Sequence, residues 1–109
     1  MYKIDIHSNK ETVDSALYML DLAIKFGKKE KDRLVCVITG YGSKGTSHKI
    51  QISTIERLEE LKNKNVIKDF IKGSNLDIFD KTYQSFKGRG KIPDIDMKIR
   101  NPGAIYILV

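Results

Sequence analysis

The amino-acid sequence predicts an α/β domain, and three patterns carry that reading. Tyr2, Ile4 and Ile6 alternate with Lys3, Asp5 and His7, the period of a strand with one buried face. Val13, Leu17, Leu20 and Ile24 follow at helical spacing, with Ala16 and Ala23 widening the stripe. Leu34-Val35-Cys36-Val37-Ile38 is then a β-branched apolar run closed by Thr39-Gly40, which reads as a strand buried on at least one face. Strand, helix and strand in that order make a βαβ unit, with a right-handed crossover if the strands are parallel neighbours. At 109 residues, 40% of them apolar, the chain makes one domain with a real core.

Each element has its own signals. Ser8-Asn9-Lys10-Glu11 matches a capping box, predicting a helix over about 10–26 that Gly27 would cap. A charged loop, Lys28 to Arg33, leads to the apolar strand. The glycine-rich stretch from Gly40 to Ser47 comes next, and Ile50, Ile55, Leu58 and Leu61 predict a helix over about 47–64 with Ser47 as its cap. Val66 to Lys72 reads as a third strand and Gly73-Ser74-Asn75 as a turn, with Leu76, Phe79 and Tyr83 as the apolar side of a short helical piece. From Phe86 to Gly103, glycines and prolines break every pattern and predict irregular structure. Ala104 to Val109 is an apolar strand that must be central or well covered, since bare it would be an aggregation edge.

If the first two strands are parallel, both end on the same edge of the sheet. Asp5 and His7 then lie beside the loop Thr39 to Gly45, where ligands of open α/β sheets bind. A strand, glycines and a helix amino terminus build an anion site from free N–H groups and the positive end of the helix dipole. Lys44, His48 and Lys49 strengthen it. Gly40-x-Gly42-x-x-Gly45 also has the form of the dinucleotide fingerprint, but it follows the second strand of a short chain, and the next strand ends without the acidic residue that grips a ribose. A Walker loop is excluded, because Thr46 stands where the phosphate-gripping lysine belongs. Asp5 and His7 also have a plain reading, as an exposed carboxylate and a strand-end residue bonded to a turn.

Composition narrows the partners. Twenty basic residues against fourteen acidic ones leave a net charge of +6, which favours an anionic partner, nucleic acid first, or serves solubility alone. From Lys81 onward there are six basic residues and two acidic ones. Cys36, the one cysteine, sits inside an apolar strand and reads as a small buried hydrophobe. The two histidines fall in no metal-ligand spacing, so no zinc site is expected. Neither a signal-peptide pattern nor an apolar run of about 18 residues occurs, so a soluble, cytoplasmic protein is expected.

Ile4-Asp5-Ile6-His7, Thr39-Gly40-Tyr41-Gly42 and Asn101-Pro102-Gly103-Ala104-Ile105-Tyr106 together resemble the Smr (small MutS-related) domain family. Its signatures are a Leu-Asp-Leu-His-Gly opening, a Thr-Gly-x-Gly loop and a glycine-led last strand, and the likeness spans most of the chain. The resemblance implies a two-layer α/β sandwich of roughly βαβαββ order, with a mixed sheet and helices on one face, similar to the carboxy-terminal domain of translation initiation factor three. It also implies DNA or RNA binding, with nicking endonuclease activity in several members. Asp5 and His7 would be catalytic, with a divalent metal an optional cofactor. Thr39, Gly40, Gly42, Lys44 and Gly45 would hold phosphate, and Lys49, Lys87, Arg89 and Lys91 would contact the nucleic-acid backbone. Ser8 replaces the family's glycine after the histidine, and residues from about 75 to 100 form a longer, more basic segment than the family usually carries. A binding module without chemistry is the alternative, and a nucleotide-binding protein using the glycine loop is a third reading.

Overall fold

The computed structural model describes residues 1–7, 12–40, 46–77, 79–86 and 92–109. Its strands and helices run β1 (Tyr2–Asp5), α1 (Val13–Gly27), β2 (Leu34–Ile38), α2 (Thr46–Asn63), β3 (Asp69–Lys72), α3 (Lys81–Phe86), α4 (Asp94–Ile99) and β4 (Ala104–Leu108). The four strands form one mixed sheet in the order β1-β2-β4-β3. β1 and β2 are parallel, with Asp5 opposite Ile38, while β4 lies antiparallel to both β2 and β3. This is an α/β sandwich with the expected order of long elements. The last strand is central and buried along its whole length.

Strand alternation sends two sets of side chains to opposite faces. Val35, Val37, Ile105 and Ile107 pack with Ala16, Leu20, Ala23, Ile50, Leu58 and Leu61, so the long helices α1 and α2 share one face. Leu34, Cys36, Tyr106 and Leu108 pack with Phe86 and Ile92, with Tyr83 of α3 and Met97 of α4 against them. The short helices thus cover the second face, so helices are not confined to one face as the resemblance implies. Leu34, Cys36, Tyr106 and Leu108 are apolar or aromatic on that side too and need cover. Helix α3 carries Tyr83 of the short helical piece that the sequence predicts, whereas α4 falls within the basic segment over 81–103 where irregular structure is expected. Each is six residues long, and each is held by the sheet beneath it.

Local boundaries differ where a better partner was available. Helix α1 begins at Val13 rather than near residue 10, because Thr12 and Ser15 complete a capping box: Ser15 N donates to Thr12 Oγ1 at 3.1 Å, and Thr12 N donates to Ser15 Oγ at 3.0 Å. The Ser8 to Glu11 match lies outside the described residues. Gly27 is the last residue of α1 rather than its cap. A Cβ there would stand 2.1 Å from Val35 Cγ2 and 3.3 Å from Val109 Cγ2, so the glycine admits the helix end against β2. Ser47 lies inside α2, which starts at Thr46. The third strand is shorter than Val66 to Lys72, starting at Asp69, and Gly73–Asn75 is a single 3-10 turn. Leu76 is buried as its apolar character requires, whereas Phe79 is 81% exposed.

Two buried groups give direct stability tests. Cys36 is fully buried, and burial pushes its thiol from an ordinary 9.0 up to about 11. Between those values the unfolded chain gives up the proton and the folded chain keeps it, so stability falls as pH rises through 9 to 11 and is unaffected below 9. The expected loss is on the order of 2–3 kcal/mol. Urea unfolding across that window checks it, with Cys36→Ala flattening the decline; an equal slope in both proteins would contradict the assignment. Thr54, on the buried side of α2, has no hydrogen-bond partner for Oγ1 among the described residues. Thr54→Val keeps the shape and removes the stranded hydroxyl, so the unfolding midpoint is expected to rise, by about 1 kcal/mol or more in free energy.

Candidate functional site

The parallel pairing of β1 with β2 decides the site. Asp5 is opposite Ile38, and Ile6 N donates to Ile38 O at 2.9 Å, which carries the pairing one residue beyond β1. His7 therefore comes off the sheet beside Thr39 and Gly40, at the edge where the sequence predicts a ligand. Asp5 Oδ1 contacts His7 Nδ1 at 2.6 Å and accepts from the His7 backbone N–H at 2.9 Å. One oxygen thus holds both the ring and the turn that follows the strand. The plain reading of these residues, a strand end bonded to its own turn, is present in this geometry, and so is an oriented imidazole. Both side chains reach solvent, with 29% of His7 and 43% of Asp5 exposed.

The neighbouring strand end shows why threonine and glycine stand there. Thr39 is fully buried, its N donates to Gly103 O at 2.7 Å, and its hydroxyl faces Gly40 O at 2.8 Å and Gly103 O at 3.2 Å. Gly40 adopts φ 71°, a left-handed conformation that side chains resist. A Cβ on Gly103 would come within 3.2 Å of Gly40 Cα, so the two glycines let the chain leaving β2 and the chain entering β4 touch backbone to backbone. Asn101 Oδ1 accepts from Gly103 N at 2.9 Å, and Gln51 of α2 donates from Nε2 to Pro102 O at 2.7 Å. These bonds fix the Asn101 to Gly103 loop, β2 and α2 into one edge.

Of the residues predicted to act, Asp5, His7, Thr39 and Gly40 meet at this edge. Lys49 is exposed near the start of α2, as is His48. Gly42, Lys44 and Gly45 of the loop, and Lys87, Arg89 and Lys91 of the basic segment, lie outside the described residues. Helix α2 is eighteen residues long and descends from this edge, so the positive end of its dipole adds to the local preference for an anion. Among the described residues no group of three or more His, Cys, Asp or Glu is placed to hold a metal ion. The dinucleotide reading loses its ribose-gripping carboxylate, since Asp69 opens β3 at the opposite edge and pairs with Lys62 Nζ at 3.0 Å.

Sequence reading did not find one polar group close by. The Tyr106 hydroxyl donates to Asp96 Oδ2 at 2.5 Å, tying α4 to the central strand. Burial and the Asp96 carboxylate hold the phenol protonated far above its ordinary range. The available signal was a tyrosine in an otherwise aliphatic buried strand, because a buried phenol needs a partner. Among the described residues no helix is long and apolar enough to cross a membrane. Compared with known protein families, curated proteins and solved structures, the chain matches none of them.

Proposed function

We propose that the chain is a cytoplasmic, Smr-like nucleic-acid-binding domain that cleaves phosphodiester bonds at the edge formed by β1 and β2. The observation that carries this reading is the contact between His7 Nδ1 and Asp5 Oδ1 beside Gly40. An ionised carboxylate can only accept, so Nδ1 carries the proton and Nε2 is left as the basic nitrogen. In that tautomer His7 takes a proton from an attacking water or hydroxyl as its oxygen bonds to phosphorus, and returns it to the oxygen that leaves. Asp5 keeps the ring oriented and stabilises the imidazolium formed between the two steps. The phosphate would sit against the Gly40 edge and the amino-terminal end of α2. Lys49, with Lys44, Lys87, Arg89 and Lys91, would neutralise backbone charge on either side.

The alternative within the same site is binding without chemistry, and Ser8, where the family has glycine, favours it. One experiment separates the two: purified protein is incubated with supercoiled plasmid and with structured RNA, with and without divalent metal. Nicked or cut product is expected from one of them. Binding without any product would leave the domain a non-catalytic module. Affinity is expected to fall steeply with salt, with a log–log slope of about −3 to −4 on duplex DNA if about four phosphates are contacted. A slope near zero would contradict a phosphate-reading surface.

A further inference from the structure

Asp5 shares its sheet face with Lys3, and beside them Ile38 and Ala104 continue the same row across β2 and β4. Over this row lies α4. Between sheet and helix is a half-open cavity of about 70 Å³ lined by Lys3, Ile38, Asp96, Ile99, Asn101 and Ala104, with Tyr106 at its base. It has room for about two waters, or for the polar edge of one heterocycle with the remaining ring outside. The chemistry of the lining is mixed in a particular way. Ile38, Ala104 and Ile99 supply apolar walls, and Ile99 is 65% exposed at the rim, one turn from Ile95, itself 64% exposed. Lys3 brings an ammonium donor. Asn101 uses Oδ1 to accept from Gly103 N, so its amide group offers a donor to the cavity. Asp96 accepts the Tyr106 hydroxyl on Oδ2, which leaves Oδ1 as an acceptor.

Apolar walls with a donor and an acceptor at one end match a flat ring carrying an amino group next to a ring nitrogen or carbonyl. Phosphate would be repelled by Asp96, and an aliphatic ligand would strand Lys3, Asn101 and Asp96 without partners. We propose that this cavity takes the edge of one unpaired nucleobase flanking the phosphate held at the β1–β2 edge, so that the substrate class is bulged, looped or single-stranded nucleic acid. The inference rests on the nucleic-acid reading above. A base within a duplex keeps its hydrogen-bonding edge engaged and stacked, whereas an unpaired one turns that edge outward at little cost. Asp96 further favours cytosine, adenine or guanine, which carry an exocyclic amino group, over uracil or thymine.

Affinity for three matched hairpins tests this: one fully paired, one with a single bulged cytosine, one with a bulged uracil. Wild type is expected to bind the cytosine bulge about ten-fold more tightly than the paired hairpin, the worth of about one hydrogen bond to a charged group, with uracil between them. Lys3→Met and Ile99→Ala, both at exposed positions and checked for unchanged thermal unfolding, are expected to erase the bulge preference and leave affinity for the paired hairpin within about two-fold. Equal wild-type affinity for all three hairpins would overturn the base pocket while leaving the nucleic-acid reading intact. So would a bulge preference that both variants retain. Absence of binding to any hairpin would overturn both.

Discussion

His7→Ala is expected to lower phosphodiester cleavage by about 10²–10⁴-fold, the contribution of a positioned proton carrier. Affinity should change little, because the imidazole is one polar contact among several at a basic edge. Asp5→Asn is expected to fall in the same direction. Its amide oxygen can still accept from the His7 backbone N–H, but the negative charge that orients the ring and stabilises the imidazolium formed during the reaction is lost. Initial rates on plasmid and RNA, with affinities measured in parallel, check both variants. Undiminished cutting by His7→Ala, in protein shown free of contaminating nuclease, would remove His7 from the chemistry. A loss of rate matched by an equal loss of affinity would point to binding instead.

The largest expected effect on stability comes from Gly73→Ala. A Cβ at Gly73 would lie 2.0 Å from the Asn101 carbonyl oxygen, 3.0 Å from the carbon it is bonded to and 3.3 Å from Ala104 O. All three are backbone atoms, so no side chain can swing away. Relief requires moving the 3-10 turn or the loop entering β4. That loop is held by Ala104 N donating to Asn101 O at 3.1 Å and by Gln51 donating to Pro102 O at 2.7 Å. Overpacking of this kind costs about 1–3 kcal/mol, occasionally more. A lowered urea midpoint with an unchanged slope is expected, together with weaker nucleic-acid binding, because Gly103 rests on Gly40 two residues further along. An unchanged midpoint would mean that the close approach is not maintained in solution.

Much of this fold was legible in sequence wherever one face of an element had a single neighbour to satisfy. The alternation of Tyr2, Ile4 and Ile6 and the run Leu34 to Ile38 fixed two strands and, through the intervening helix, their parallel pairing. The final strand was legible as central or well covered because nothing but burial suits Ala104 to Val109, and the sheet order makes it central. The short helix α3 was legible only in part, since Tyr83 lies on its packed side while Leu76 and Phe79 fall before it. Helix α4 was not legible, since it owes its existence to the sheet face carrying Leu34, Cys36 and Tyr106, and six residues show no period. Glycines were legible as special but not as to why: Gly27 suggested a cap and instead admits Val35, while Gly40 does take a left-handed conformation. At the site, Asp5 and His7 were legible as neighbours of the Thr39-Gly40 edge from strand parity alone. The group formed by Lys3, Asp96 and Tyr106 was not, because it joins residues from opposite ends of the chain through a helix the sequence does not announce.

The central claim is that nucleic acid is bound at the edge where β1 and β2 end. Titrating isotopically labelled protein with a short DNA duplex and an RNA hairpin, while following backbone amide resonances, tests it most directly. The amides of His7, Thr39, Gly40 and the first turn of α2 are expected to shift first and together, saturating at one affinity that weakens with added salt. Shifts confined to the opposite end of the sheet, around Lys28, Lys31 and Lys68, or an unchanged spectrum at saturating nucleic acid, would contradict it.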